Sequence, residues 1–253
     1  MRFIRLATAS PLLIGVSEAD DGNMALHTGD DPVYVNANRA KIAKNWHSPI
    51  HWMNQIHSTD LAEVVAEPFV NSVRSNGSST APVQPLTQPP TVDGLFTHAS
   101  PDAEAQRPTL AVLTADCLPV ILYSECGTQY AAVHAGWRGL LNGILINAVN
   151  TFTTQTLHAY IGPAISQPQY QVPLSFRNEF EAQWGEDLGG YFLQDGDEHL
   201  RADLAGLAQH QLESLSVTVQ QSQLCTAATP CFFSYRHHKT IKRLATIIGP
   251  PSN

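Results

Sequence analysis

Apolar and polar positions divide this chain into short β-branched runs and longer amphipathic stretches. Two continuous apolar runs, 110–114 (LAVLT) and 119–123 (PVILY), flank Ala115-Asp116-Cys117-Leu118, and 130–134 (YAAVH) is a third. Such runs predict buried strands of a sheet covered on both faces. Gly136 and Gly139 follow, and 140–152 then sets Leu141, Ile144, Leu145, Ala148 and Val149 at helical spacing. A strand that enters a glycine-flanked turn and then a helix presents polar side chains at a sheet edge. The pattern also predicts a strand at 158–161, helices over 174–184 and 202–215 (the second entering near Asp203), and a strand over 217–224. Closing strands are expected at 231–235 and 243–248, and Gly29-Asp30-Asp31-Pro32 reads as a turn feeding a helix start. Interspersed strands and helices place the chain in the α/β class.

One segment breaks the pattern. Residues 71–91 are rich in Ser, Thr, Pro and Gln and poor in apolar side chains, which predicts an extended, flexible surface loop. It need not mark a domain boundary, because candidate functional residues lie on both sides. With 253 residues and no internal repeat, 1–253 is read as one domain able to bury a core without staples. Lys and Arg total 14 against 22 Asp and Glu, a formal net charge of −8. Nucleic-acid affinity comes mainly from cationic side chains, so no such partner is expected. No apolar run approaches the roughly 18 residues of a membrane span, so no membrane is expected either. The N-terminal stretch faintly imitates a signal peptide, but Thr8, Ser10 and Pro11 interrupt it and no A-x-A-like cleavage site follows. The cysteines, Cys117, Cys126, Cys225 and Cys231, are too sparse for a disulfide scaffold, and a reducing cytoplasm is the expected location.

Three polar clusters adjoin predicted strands: Asn54-Gln55-Ile56-His57-Ser58-Thr59-Asp60, Thr114-Ala115-Asp116-Cys117-Leu118-Pro119 and Val133-His134-Ala135-Gly136-Trp137-Arg138-Gly139. His57, Cys117 and His134 at strand ends can converge on one point. Two imidazoles and a thiolate suit Zn²⁺, and three protein ligands leave a position open, as catalytic sites do. A bound Zn²⁺ lowers the pKa of its water toward about 7. The spacings, 60 residues and then 17, are no compact metal signature. A Cys117–His134 nucleophile–base pair is a second chemistry, and a buried thiol beside a backbone-bonded imidazole is the bland alternative. Arg138 offers its fork to phosphate or carboxylate, or to a surface ion pair. Asp93-Gly94 reads first as a turn and only second as a functional carboxylate. His237-His238 lies in a basic stretch that reads as solvated surface or anion contact. Motifs for a phosphate loop, a G-x-S-x-G elbow, an H-E-x-x-H pair and a zinc deaminase are absent, and none of the 11 histidines forms H-x-H.

Together the clusters resemble the YfiH-like family, also called the laccase-domain, polyphenol-oxidase-like or purine nucleoside phosphorylase family, with a peptidoglycan editing factor branch. The matching stretches are 23–39 (NMALHTGDDPVYVNANR), 54–60 (NQIHSTD), 92–97 (VDGLFT), 113–123 (LTADCLPVILY), 131–145 (AAVHAGWRGLLNGIL), 160–165 (YIGPAI) and 225–245 (CTAATPCFFSYRHHKTIKRLA). The resemblance implies a single α/β domain with mixed β-sheets flanked by helices. It implies a zinc site at His57, Cys117 and His134, with Cys117, His134 and Arg138 catalytic and Asn23, His27 and Arg236 substrate-binding. The implied reaction is phosphorolysis of adenosine, or of inosine, guanosine or methylthioadenosine, to free base and ribose 1-phosphate, with adenosine deamination as a companion. The partners are then a small nucleoside and phosphate; no protein partner is indicated.

The chain departs from the family pattern in several places. An N-terminal S-T-R-x-G-G stretch is missing, because 15–22 (GVSEADDG) runs straight into Asn23, and an Arg near the site goes with it. Gln171 stands where Glu is usual, His237 where a second Arg is usual, and 71–91 is an insertion. Rival readings are an editing hydrolase of peptidoglycan precursors, a copper-dependent phenol oxidase using the same His₂Cys trio, and a binding protein that keeps the metal without turnover.

Overall fold

The computed structural model describes residues 1–6, 10–65, 72–75, 84–85, 88–99 and 107–252, of which 72–75 and 84–85 are described by backbone alone. Two β-sheets lie face to face. One has five strands in the order Arg2–Arg5, Leu13–Val16, Leu244–Gly249, Thr109–Thr114 and Ile50–His51, antiparallel except for the last pair. The other has eight, in the order Thr218–Gln221, Leu157–Ile161, Leu118–Ser124, Gln129–Ala135, Gly94–His98, Leu61–Val65, Ser72–Ser75 and Gln84–Pro85. A small third sheet joins Gln171–Pro173, His199–Ala202 and Phe192–Gln194.

The alternation of side chains along these strands builds three cores. Ile14, Leu110, Val112 and Ile248 of the first sheet meet Leu95, Ile121, Tyr123 and Ala132 of the second. The opposite parity of the second sheet, Val120, Leu122, Ala131 and Val133, packs under helices through Ile144, Phe180, Leu207 and Leu212. The outer face of the first sheet, through Ala111, Leu113, Ala245 and Ile247, is covered by Met24, Ile42 and Trp46. Every residue of Thr109–Thr114 and Leu118–Ser124 is buried, as expected for strands covered on both faces. Phe180 sits at the centre of an aromatic group with Phe176 and Trp184. Phe180→Ala should therefore cost about 3–5 kcal/mol of stability, read from denaturant unfolding, without changing metal content.

Several expected elements are altered. The single helix over 140–152 is two, Trp137–Leu141 and Ile144–Val149, because Gly143 adopts a left-handed φ of 90° between them. The helix expected over 202–215 is Leu204–Ser214; Ala202 stays in a strand, and the Asp203 side chain caps the helix by accepting from the Gly206 amide. The strand over 217–224 shortens to Thr218–Gln221. No strand forms at 231–235. That segment turns into the helix Tyr235–His238, whose entry Ser234 caps by accepting from the His237 amide. The expected loop over 71–91 contains an antiparallel hairpin of Ser72–Ser75 with Gln84–Pro85, while 71, 76–83 and 86–87 lie outside the described residues. Asp31 caps the helix Pro32–Ala43, with proline at its first position, as the turn reading anticipated.

Candidate metal centre

The site lies where the chain passes between the two large sheets. Ala115–Cys117 is the link from Thr109–Thr114 to Leu118–Ser124, and Asp116 takes a φ of 90° there. His57, at a φ of 63°, sits on the link from Ile50–His51 to Leu61–Val65. His134 stands near the end of Gln129–Ala135. The ligating atoms of His57, Cys117 and His134 lie within 4.8 Å of one another, and among the described residues they are the one group of this kind. Four-coordinate Zn²⁺ with bonds of about 2.0–2.3 Å requires separations somewhat shorter than this. The donor chemistry, two imidazoles and a thiolate, fits a borderline-soft ion.

One carboxylate organises two of the three ligands. Asp93 is fully buried. It accepts from the backbone amides of Ile56, His57 and Ser58 at 3.1, 3.0 and 2.6 Å and from the Ser58 hydroxyl at 2.9 Å. Its Oδ1 also accepts from His134 Nδ1 at 2.7 Å. An ionised carboxylate only accepts, so the imidazole carries its proton on Nδ1 and turns Nε2 to the site. Burial pushes the Asp93 carboxyl up, but the bonds from His134 and Ser58 outweigh it and hold the group below the usual carboxylate range. Burial likewise opposes the Cys117 thiolate, yet the facing imidazoles of His134 and His57 bring the thiol down to about 6. His134 rises to about 9, against burial, because the thiolate and Asp93 stabilise its charge.

Other residues of the recognised motifs do quieter work. The Gln55 amide exchanges two hydrogen bonds with the Leu113 backbone, at 2.7 and 2.8 Å, which pins the His57 loop to a strand of the first sheet. Asp116 accepts from the Thr226 hydroxyl at 2.7 Å and the Arg236 amide at 2.6 Å, so the residue beside Cys117 fastens the C-terminal segment over the site. Gly136 is required by space: a Cβ there would lie 2.9 Å from His57 Cδ2 and 3.4 Å from Cys117 Sγ. Its backbone φ of −63° is ordinary, so Gly136→Ala should leave the fold intact. The same variant should weaken metal affinity about tenfold or more, measured by chelator competition.

A cavity of about 370 Å³ opens over the trio, lined also by His27, Gln55, Leu113, Thr114, Ala115, Tyr235 and Arg243. His27 thus lies where the resemblance placed it. Asn23 does not line the cavity: its Oδ1 accepts the amides of Ala25 and Arg243, and its Nδ2 donates to Ala25 and Asp30. In the structure it acts as a backbone clamp. Arg138 and Arg236 are not in the lining either. Arg138 lies over the Trp137 ring at 4.3 Å. Arg236 lies over Tyr170 at 5.2 Å and donates to the Gln171 carbonyl at 2.8 Å. Both guanidiniums and the Cys117 thiolate act electrostatically on Tyr170, which places the two arginines near Cys117 although neither lines this cavity. Sequence reading ranked Asp93 first as a turn and only second as a functional carboxylate, and it missed Arg243 as a cavity residue. A charged residue directly preceding the apolar run of Gly94–His98 was the available signal for the first; nothing local marked the second.

Fold and site define the class: an α/β protein of two packed sheets that presents a His₂Cys constellation in a cavity at the links joining them. The chain belongs to the family described as "Multi-copper polyphenol oxidoreductase laccase", which matches residues 12–250. It is similar to the purine nucleoside phosphorylase YfiH of Shigella flexneri and to that of Escherichia coli K12. Each is 34% identical over 250 residues, covering 96% of this chain and 92% of the relative. Among solved structures, the Neisseria meningitidis protein NMB0706 superposes with a TM-score of 0.83 at 28% identity, covering 99% of both chains. A Bacillus licheniformis hypothetical protein YfiH, 22% identical with 98% of both chains covered, shares the fold at a TM-score of 0.77. The YfiH-like resemblance and the α/β assignment therefore hold. No helix of the described residues is long and apolar enough to cross a membrane, and all four cysteines are free.

Proposed function

We propose that this protein is a zinc-dependent purine nucleoside phosphorylase that converts adenosine, and also inosine, guanosine or methylthioadenosine, to free base and ribose 1-phosphate, with adenosine deamination as a companion activity. The observation that carries the reading is the meeting of His57, Cys117 and His134 at the floor of one cavity, in a chain whose relatives bear the phosphorylase name. Zinc held by the trio would supply Lewis-acid polarisation to a group entering the open position. In phosphorolysis a phosphate oxygen bonds to the ribosyl C1′ while the C1′–N bond breaks. The electron pair leaves with the base, which takes the proton given up by the phosphate. Asp93 keeps the His134 proton on Nδ1 throughout, and Leu113, Ala115 and the Tyr235 ring offer apolar wall to a purine.

The test is chromatography of adenosine after incubation with the zinc-loaded protein, with and without phosphate. Adenine that forms only with phosphate is the expected result. Inosine in both samples assigns the zinc site to deamination. Unchanged adenosine with one zinc per chain removes the nucleoside reading and turns attention to peptidoglycan precursors. The same donor set accepts copper, so metal analysis and oxygen uptake with a phenol, run alongside, test the oxidase alternative.

A further inference from the structure

We propose that Arg243, with His27 beside it, forms the anion seat of the cavity and holds the phosphate co-substrate. The proposal rests on the phosphorolytic reading of this cavity and adds the site of its second substrate. Apart from the metal-ligand imidazoles, Arg243 and His27 are the cationic or basic side chains in the lining. Arg243 Nη1 donates to the carbonyls of Ile241 and Lys242 at 3.1 and 3.0 Å, which orients the fork. Its guanidinium lies 5.7 Å from the Tyr235 ring centroid. Among the ion pairs of the described residues Arg243 has no carboxylate partner. An unpaired guanidinium in a cavity matches the planar fork to a phosphate edge.

The fold holds this arginine in place. The Asn23 side chain accepts the Arg243 amide at 2.9 Å, and the Met24 amide donates to the Arg243 carbonyl at 3.1 Å. The N-terminal stretch that carries His27 therefore also fixes the backbone of Arg243. Arg39 stands close enough to add its field: burial first, then Arg243 and Arg39, hold His27 below the ordinary imidazole range. The result is a positive pole at the cavity of a chain with net charge −8, the focusing expected of an anion site. Arg138 and Arg236, stacked on Trp137 and Tyr170, compete for the role.

Calorimetric titration of inorganic phosphate into the zinc-loaded protein, beside phosphate-dependence kinetics, tests the assignment. Arg243→Gln should weaken phosphate binding and raise the phosphate KM at least tenfold, with zinc content and adenosine affinity kept. Arg243→Lys should fall between, and Arg177→Gln, at an arginine paired with Glu181 and Asp187 outside the cavity lining, should stay within twofold of wild type. Unchanged phosphate affinity in Arg243→Gln, or a tenfold loss in Arg138→Gln instead, overturns the proposal, as does absence of phosphate binding by the wild type. Arg243-dependent binding of adenosine 5′-monophosphate that excludes inorganic phosphate overturns the co-substrate assignment. Phosphate binding that depends on Arg243 without any nucleoside turnover keeps the anion seat and removes the phosphorylase reading. Phosphorolysis with an unchanged phosphate KM in Arg243→Gln does the reverse.

Discussion

Replacing Asp93 by Ala should cost about 3–5 kcal/mol of stability and lower metal affinity about 10–100-fold. The carboxylate accepts three backbone amides, a hydroxyl and an imidazole N–H in a place without solvent. Removing it leaves those donors buried and unpaired, and the loss of each partner is felt in full. Asp93→Asn is the more discriminating variant. Its amide NH₂ has to face donors, so one oxygen's bonds are lost while the volume stays. The His134 tautomer is then no longer fixed, and metal affinity should fall even where the protein still folds. Denaturant unfolding and chelator competition measure the two effects separately. A wild-type metal affinity in Asp93→Asn would show that His134 needs no such partner. The pH dependence has a definite sign. Asp93 is depressed in the folded state, so its stabilisation is present at neutral pH and is lost as pH falls through the depressed value. Acid unfolding should therefore be shallower in Asp93→Asn.

The second large effect concerns Cys117 in metal-free protein. With the thiol brought down to about 6 against its buried setting, roughly nine-tenths is thiolate at pH 7, where an unperturbed thiol is only a few per cent ionised. Iodoacetamide labelling of Cys117 should rise through pH 6 and level off near pH 7, because the anion is the reactive form. Zinc loading should abolish it, since a coordinated thiolate is no longer free. Cys126 supplies an internal control: it is exposed, and Thr128 and Ser124 hold its thiol down, yet it lies outside the metal group. Peptide mass spectrometry then reads both sites in one sample. Cys117 labelling that ignores zinc, or that rises only above pH 8, would remove the thiol from the metal centre. Under the proposed function, Cys117→Ser should in turn take zinc binding to near zero and phosphorolysis to background.

The C-terminal segment shows how tertiary contacts override local pattern. Residues 231–235 read as a strand, yet Asp116 takes the Thr226 hydroxyl and the Arg236 amide, 110 and 120 residues away in sequence. Ser234 then caps a helical turn. That turn puts Tyr235 at the cavity, while Arg236 lies over Tyr170 outside the cavity lining. Gly143 acts on a smaller scale, dividing one expected helix through its left-handed backbone.

The sequence by itself determined the buried strands and the α/β class and, through the family resemblance, singled out His57, Cys117 and His134 as a candidate group. Those features are local: continuous apolar runs specify strands covered on both faces, and a thiol or imidazole at the end of such a run is conspicuous against it. Only the tertiary structure decided what surrounds the trio. Asp93 meets its partners 36 and 41 residues away, and the Asn23 side chain fixes Arg243 across 220. Hydrogen bonds over such separations leave no periodicity to read, because they exist only once two sheets have packed and brought their connecting links together.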